Sequence, residues 1–289
     1  MKKRVLIVFI LLIGIFGVLN KEKIKLAFDF SPVKINGDAA VLMDEKTGKV
    51  IYSKNQHSKL YPASTTKLLT ALVVLEHTSI DEKVTIGREV FLNTEEEASA
   101  GLFEGQVQSV EELLAAMLLQ SGNDAARSLA IFTAQKNNGK QLSLEEALKY
   151  FARLMNDKAR DIGASESHFI NPHGLHDSNH YSTAWDLAMI AKEAKQNNVI
   201  ESIVNQQSYS TQTHTYANRN KLLNSDSEYF YEAATGLKTG FTDQAGYCLV
   251  SSAEQNGQEL IAVVLHSGKE TMWSDSISLL DYGFGNGNF

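Results

Sequence analysis

Hydrophobic positions in this chain recur every second residue near its two ends and at helical spacing between them. A period of two is typical of strands with one buried face. The predicted strands are 39–43, 50–52, 83–86, 89–92, 246–252 and 260–266. A turn-rich segment separates the first two strands and another separates the last two, so each pair is expected to form an antiparallel hairpin.

Helices are predicted where apolar residues follow a spacing of three and four behind a capping residue. Ser109 precedes two glutamates at the start of one such run. The pairs Ser143 with Glu146 and Thr183 with Asp186 have the spacing of capping boxes. The predicted helices are 66–75, 110–119, 124–134, 144–159, 184–190 and 271–282.

This order of elements predicts a mixed α+β fold with two lobes. Strands from both chain ends are expected to pair in one antiparallel sheet, with an all-helical lobe inserted between them. With 289 residues, 43% of them hydrophobic, the chain is long enough to bury one large core or two modest ones.

The first 27 residues differ from the rest of the chain. Three basic residues at 2–4 precede fifteen uncharged residues at 5–19, and three lysines follow. A basic segment before an apolar one is typical of an export signal, and a comfortable bilayer span needs roughly 20 apolar residues. We therefore expect a signal peptide or an N-terminal membrane anchor at 1–27, and the absence of a small-x-small cleavage site after Leu19 favours the anchor.

Charge and cysteine content exclude some classes of function. Residues 1–27 hold six of the 27 Lys and Arg and one of the 34 Asp and Glu, which leaves 21 basic and 33 acidic residues and a net charge of −12. An acidic body argues against a nucleic acid partner. The single cysteine, Cys248, excludes an internal disulfide framework and a cysteine-based metal site.

Ser64 lies three residues before Lys67, where a loop leads into the helix predicted at 66–75. Residues three apart on a helix lie roughly 5–6 Å apart at Cβ, so the Lys67 amine can reach the Ser64 hydroxyl and accept its proton. Free N–H groups at the helix start would also favour developing negative charge. Ser64 is therefore a candidate nucleophile, although a capping serine before a surface lysine has the same spacing.

Two further polar motifs stand at element boundaries. Ser121 and Asn123 lie in a turn between two predicted helices, where simple capping would also explain them. Lys238 and Thr239 are flanked by glycines, including Gly240, which suits a strand edge that a ligand approaches closely.

Taken in order, Ser64-x-x-Lys67, Ser121-x-Asn123 and Lys238-Thr239-Gly240 resemble the three motifs of penicillin-binding proteins and serine β-lactamases. The flanking sequence is similar to one branch in particular, the D-alanyl-D-alanine carboxypeptidases among the penicillin-binding proteins of low molecular mass. The likeness extends over about residues 35–285. The matching segments are 61–67, 121–126, 171–175, 218–223, 236–240 and 245–246.

The resemblance implies a β-lactamase- or transpeptidase-like fold and a serine peptidase mechanism without a metal or cofactor. Ser64 would attack the carbonyl between the two terminal D-alanines of a peptidoglycan stem peptide, and Lys67 would accept its proton. Ser121 would relay a proton to the leaving D-alanine, and Asn123 would hold the peptide amide.

The resemblance also implies how substrate is held. Lys238 and Thr239, followed by Gly240, would bind the terminal carboxylate. The backbone N–H groups of Ser64 and Phe241 would form the oxyanion hole. β-Lactam antibiotics would acylate the same serine as covalent inhibitors, and the protein would act at the outer face of the bacterial cytoplasmic membrane or be secreted into the cell wall.

Three departures from the family pattern bear on these expectations. Many relatives continue into a β-rich domain and a membrane-bound amphipathic helix, whereas here we expect one catalytic domain at 28–289 and membrane attachment only through 1–27. The segment 269–273 lacks an arginine that some relatives place there. The motifs also do not separate carboxypeptidase from endopeptidase or transfer activity.

Three alternatives remain open from the sequence. A β-lactamase would need a deacylating glutamate, and the Glu-x-x-Leu-Asn pentapeptide is absent. A zinc carboxypeptidase could use His173, His176 and His180, but Pro172 and Gly174 would break any helix that aligns them, and they do not form His-Glu-x-x-His. A non-catalytic wall-binding protein of the same fold would be expected to lack part of the motif set. Outside the motifs, the acidic run 95–97 is predicted to be a solvated loop.

Overall fold

The computed structural model describes residues 33–286, so the predicted signal or anchor at 1–27 lies outside the described residues. The strands are β1 Ala39–Asp44, β2 Val50–Lys54, β3 Lys83–Thr85, β4 Val107–Ser109, β5 Ser208–Ser210, β6 Thr215–Ala217, β7 Ala234–Thr242, β8 Gly246–Gln255 and β9 Gln258–Ser267. The α-helices are α1 Lys67–His77, α2 Val110–Leu118, α3 Asn123–Asn138, α4 Leu144–Asp161, α5 Ala184–Lys195, α6 Asn198–Val204 and α7 Thr271–Phe284. Between residues 33 and 286, no helix is both long and apolar enough to cross a bilayer.

Five of these strands form an antiparallel sheet in the order β2-β1-β9-β8-β7. Strand β1 pairs with both β2 and β9, so the first and last strands of the described residues are neighbours in the sheet. Helices α2, α3 and α4 come from the intervening segment. The predicted α+β class, with a sheet from both ends and an inserted helical lobe, is confirmed.

Alternation along β8 shows how the sheet is covered on both faces. Cys248 and Val250 belong to the large core shared with the helical lobe, whereas Leu249 packs in a separate cluster with Met272 and Trp273 of α7. Successive side chains of a strand point to opposite faces, so α7 covers one face and the helical lobe covers the other. The site described below lies where the sheet edge β7 meets that lobe.

The capping residues predicted from the sequence act at the helix starts. Ser109 and Ser143 each form a full capping box with the glutamate three residues later. At α5 only half of the box forms: the Thr183 hydroxyl accepts from the Asp186 N–H, but the Asp186 carboxylate accepts instead from Ser167 Oγ at 2.6 Å.

The strand predicted at 89–92 is wrong, because Arg88–Leu92 is a 3-10 helix. Glu89 is buried, and its carboxylate accepts from the Gly87 N–H at 3.0 Å and from Ser128 Oγ at 2.6 Å. These two bonds bend the backbone into a turn against α3, which a local alternation of apolar residues cannot reveal. The helix α6 and the hairpin of β5 and β6 were not predicted, since three to seven residues are too few to show a period.

Asp275 on α7 ties the segment before β1 to the C-terminal helix. Its carboxylate is 1% exposed and accepts from the N–H groups of Asn36 at 3.0 Å and Gly37 at 2.9 Å, and from Ser267 Oγ at 2.9 Å. Asp275→Asn replaces one acceptor oxygen with a donor that faces these groups. We expect the free energy of unfolding to fall by about 2–4 kcal/mol, measured by urea denaturation. The exposed Asp226→Asn serves as the control, and equal midpoints for the two variants would contradict the prediction.

Candidate active site

Ser64 lies in a 3-10 turn, Ala63–Thr66, that leads directly into α1. Ala63 adopts φ +47°, a left-handed conformation that few residues other than glycine take. The Thr65 hydroxyl donates to Pro62 O at 2.7 Å and closes the turn. The nucleophile candidate is thus presented by a constrained turn at a helix start.

The Lys67 amine is the centre of the site's hydrogen bonding. This side chain is 0% exposed, and Nζ donates to Ser64 Oγ at 2.8 Å, Asn123 Oδ1 at 2.7 Å and His173 O at 2.7 Å. An ammonium has three donors, so all three are used within the protein.

The surroundings of Lys67 favour its neutral form. Burial is the largest cause that holds its pKa well below the usual range, followed by the positive charges of Lys238, Arg127 and Arg219. The charge of Asp124 acts in the opposite direction. Burial and nearby positive charges both penalise the protonated form of an amine.

The turn between α2 and α3 carries Ser121 and Asn123. Ser121 adopts φ +66° and faces the cleft, and the Asn123 N–H donates to Ala98 O at 2.8 Å. The buried Asp124 carboxylate accepts from Ser99 Oγ at 2.6 Å and from the Ala100 N–H at 2.9 Å. The segment 98–100 therefore clamps this turn in place.

Strand β7 passes directly over the Ser64 turn. A Cβ atom on Gly240 would lie 3.0 Å from Pro62 O and 3.0 Å from Ser64 N, so a larger residue would crowd the Ser64 turn. Lys238 is 1% exposed, and its Nζ donates to Thr239 O at 3.0 Å. Burial, and then the charge of Arg219, lowers the pKa of Lys238 to about 7.

The predicted residues meet at one open cleft of about 370 Å³. Lys67 and Asn123 contact each other and are buried, as is Lys238. The cleft is lined by Ser64, Glu96, Glu97, Ala98, Ser121, Arg219, Thr239, Gly240, Phe241, Tyr247, Met272 and Trp273.

The loop 171–175 supplies the carbonyl that Lys67 binds. Gly174 adopts φ +86°, and a Cβ atom there would lie 1.8 Å from Ala63 O, so the loop is pressed against the nucleophile turn. Asn171 Oδ1 accepts from the Gly174 N–H at 2.7 Å and shapes the loop. The result is that His173 O faces the Lys67 amine.

The three histidines of this region make separate contacts. The His173 ring accepts from a backbone N–H two residues on, and the His176 ring lies edge-on to Tyr61 with centroids 4.5 Å apart. His180 Nε2 is hydrogen-bonded to the Thr66 hydroxyl at 2.9 Å. The described part of the chain contains no group of three or more His, Cys, Asp or Glu placed to hold a metal ion.

Arg219 is a cleft residue to which the sequence analysis gave no role. It lines the cleft, and its N–H donates to Leu119 O at 3.2 Å, just before the Ser121 turn. Its charge lowers the pKa of both Lys67 and Lys238. The signal was present in the sequence, because Arg219 belongs to the matching segment 218–223.

The prediction of a solvated loop at 95–97 is wrong for Glu97. Its side chain is 6% exposed, and Oε2 accepts from Arg127 at 2.8 Å and from Asn123 Nδ2 at 3.0 Å. Glu95 and Glu96 are exposed, as predicted. The buried partner, Arg127, lies on α3, so the burial of Glu97 depends on a tertiary contact.

Comparison with known proteins identifies relatives over most of the chain. Residues 27–269 match the family described as D-alanyl-D-alanine carboxypeptidase. The chain is 33% identical to D-alanyl-D-alanine carboxypeptidase DacF of Bacillus subtilis, over 85% of this chain and 61% of that protein. It is 32% identical to a D-alanyl-D-alanine carboxypeptidase of Streptomyces, over 84% of this chain and 85% of that protein.

Solved structures with the same fold lead to the same family. The DD-transpeptidase of Streptomyces K15 superposes with a TM-score of 0.79 at 32% identity, over 88% of this chain and 98% of that one. Penicillin-binding protein D2 of Listeria monocytogenes, in its ampicillin-bound form, gives 0.73 at 28% identity, over 87% and 99%. The chain spans about three fifths of the length of the Bacillus relative. This chain therefore has the transpeptidase-like fold and belongs to the D-alanyl-D-alanine carboxypeptidase family.

Proposed function

We propose that this protein is a serine-type D-Ala-D-Ala carboxypeptidase that removes the terminal D-alanine from peptidoglycan stem peptides through an acyl-enzyme on Ser64. The observation that carries the proposal is the contact of a fully buried Lys67 amine with Ser64 Oγ at 2.8 Å. A hydroxyl becomes an effective nucleophile only when a base takes its proton as it attacks.

The contacts of Lys67 explain how its amine acts as that base. A neutral amine keeps two N–H groups and one lone pair. Asn123 Oδ1 and His173 O can only accept, so they take the two N–H groups. The remaining position faces Ser64 Oγ, and the lone pair is therefore directed at the proton to be removed.

The remaining steps follow from the lining of the cleft. Ser64 Oγ bonds to the carbonyl carbon of the penultimate D-alanine, and the N–H groups of Ser64 and Phe241 stabilise the oxyanion. The C–N bond then breaks, and Ser121 passes the proton from Lys67 to the departing amine. Water hydrolyses the ester. The second hydrogen of Asn123 Nδ2 is left for the substrate amide, since Glu97 accepts the first.

The terminal carboxylate of the substrate would be held near Ser64 by two basic side chains and one hydroxyl. Lys238 and Thr239 lie on β7, and Arg219 lines the same cleft. Arg219 supplies positive charge where the 269–273 segment lacks an arginine. β-Lactams carry a carboxylate too, and the ampicillin-bound relative supports binding of this class at the same site; covalent inhibition through Ser64 is part of the proposal.

The cellular setting is part of the same proposal. A stem peptide is a cell-wall substrate, so the catalytic domain, residues 28–289, would act outside the cytoplasmic membrane. The basic and apolar pattern of residues 1–27 supports export and attachment through that segment.

The proposal is tested by D-alanine release from diacetyl-L-Lys-D-Ala-D-Ala. We expect release that continues unchanged after exhaustive chelation, and no release from the peptide ending in L-Ala-L-Ala. Loss of activity with the chelator would favour a metallopeptidase. Rapid turnover of benzylpenicillin would instead identify a β-lactamase.

Replacing Arg219 tests the carboxylate site. We expect Arg219→Gln to raise the KM for this peptide about 10- to 100-fold with a smaller change in kcat, because a charge-assisted contact of about 1.5–3 kcal/mol is lost. The exposed Arg153→Gln on α4 is the matched control. An unchanged KM in Arg219→Gln would refute this assignment.

The KM of the wild type should also depend on pH. We expect it to rise as pH increases through about 7, where Lys238 loses its charge.

A further inference from the structure

A chain of hydrogen bonds runs from the base of the acidic loop, residues 93–98, to the nucleophile. Glu97 Oε2 accepts from Asn123 Nδ2 at 3.0 Å, and Asn123 Oδ1 accepts from Lys67 Nζ at 2.7 Å. Lys67 Nζ in turn lies 2.8 Å from Ser64 Oγ. The side chains of Glu97 and Lys67 are almost completely buried.

Glu97 decides which end of the Asn123 amide faces Lys67. A carboxylate only accepts hydrogen bonds, so it selects the Nδ2 end, and Oδ1 must then turn to the amine. In the flipped orientation, Nδ2 would donate to the lone pair of neutral Lys67. That bond would compete with the Ser64 proton for the same lone pair.

Glu97 is itself held in place by charge and by its own loop. Arg127 donates to Glu97 Oε2 at 2.8 Å, and both side chains are 6% exposed. Arg127 also donates to Asn93 Oδ1, and Thr94 N–H donates to Glu97 Oε1 at 3.3 Å. A buried pair with these additional bonds has little freedom to reorient.

We propose that Glu97 is a positioning residue: by holding Asn123 Nδ2, its carboxylate keeps Asn123 Oδ1 on Lys67 and leaves the lone pair of that amine free for Ser64. This inference rests on the proposed function. It adds to the three sequence motifs a fourth element, supplied by a loop that lines the cleft.

The direction of the effect separates positioning from simple electrostatics. Removing a negative charge near Lys67 favours its neutral form, so electrostatics alone would leave acylation unchanged or make it faster. Loss of the Asn123 orientation makes acylation slower. A slower Glu97→Leu variant, which has neither the charge nor the acceptor, therefore reports the orientation.

The test measures acylation of the full chain by benzylpenicillin as two quantities, the dissociation constant of the initial complex and the limiting rate constant of acylation. We expect Glu97→Leu, which leaves no acceptor for Asn123 Nδ2, to lower the rate constant at least 10-fold and to change the dissociation constant less than twofold. Glu95→Leu, which alters an exposed glutamate of the same loop, should behave as the wild type.

A double variant shows whether Glu97 acts through Asn123. Adding Glu97→Leu to Asn123→Ala should slow acylation by less than a further twofold, because the amide to be oriented is already gone. A purely structural role would lower the melting temperature and multiply the two losses. If Glu97→Leu does not fold, Glu97→Asp replaces it, since a side chain shorter by one methylene keeps the negative charge near Arg127 and lengthens the contact with Asn123.

The outcomes are distinguishable. Wild-type acylation rates in Glu97→Leu or Glu97→Asp, or multiplied losses in the double variant, overturn the role of Glu97 while the proposed function stands. A wild-type protein that benzylpenicillin does not acylate overturns the proposed function and this inference with it.

Discussion

Ser64→Ala is expected to abolish covalent labelling by benzylpenicillin. The wild type should gain the mass of one drug molecule, and the variant should gain none, because the Ser64 hydroxyl is the group that contacts the buried Lys67 base. D-alanine release should fall by roughly 10,000-fold or more, which is the scale seen when a catalytic nucleophile is removed. Intact-mass spectrometry and a D-alanine assay measure the two effects.

Ser64→Ala is expected to remain folded, so its loss of labelling would report the missing hydroxyl and not unfolding. Ser64 Oγ contacts Lys67 and, at 3.5 Å, His173 O, so little packing depends on it. The melting temperature should stay within a few degrees of the wild type. The exposed Ser58→Ala should label normally. Persistent labelling of Ser64→Ala would disprove the assignment of the nucleophile.

Much of the fold was predictable because local and global preferences agree. The hairpins, the long helices and the caps at Ser109 and Ser143 each leave a signature within a few residues. Pairing of β1 with β9 joins residues more than 200 positions apart, as in Val41 with Val263. Its prediction rested on the presence of strands near both chain ends and on the family resemblance.

The misread elements share one physical cause. Glu89 and Glu97 both lie in segments whose composition indicates a strand or a solvated loop, and both are buried by contacts with α3. The partner residues Ser128 and Arg127 lie 39 and 30 positions further along the chain. The sequence of a few neighbouring residues does not reveal such tertiary contacts.

The candidate site was likewise predictable only where local sequence or the family resemblance determines it. Helical spacing placed Lys67 beside Ser64, and the family resemblance grouped Asn123 with them; the Lys67 amine contacts both side chains. Neither supplied the carbonyl of His173 or the carboxylate of Glu97, which complete the bonding around Lys67 and Asn123. Both come from loops whose positions are fixed only by packing.

Lys67→Met is expected to lower the acylation rate constant by about 100- to 10,000-fold while leaving Ser64 in place. General-base catalysis contributes on this scale, and methionine fills a similar volume without a lone pair of comparable basicity. Stopped-flow acylation with benzylpenicillin measures the loss. The exposed Lys140→Met should acylate at the wild-type rate. A wild-type rate in Lys67→Met would show that another group takes the Ser64 proton.

The pH dependence of the wild type follows from the lowered pKa of Lys67. Burial and nearby cations hold this pKa well below 10.5 in the folded protein, so acylation should slow as pH falls through the lowered value and the amine becomes protonated.

The lowered pKa of Lys67 also makes stability depend on pH. In the unfolded chain Lys67 has its ordinary pKa, so the unfolded chain binds more protons than the folded protein at pH values between the lowered and the ordinary pKa. The free energy of unfolding should therefore rise with pH across that window, with Lys238 contributing in the same direction. Lys67→Met removes one of these two contributions, so its unfolding free energy, measured in urea at several pH values between 7 and 10, should rise less steeply than that of the wild type. Parallel slopes in the two proteins would mean that Lys67 remains protonated in the fold and is not the base.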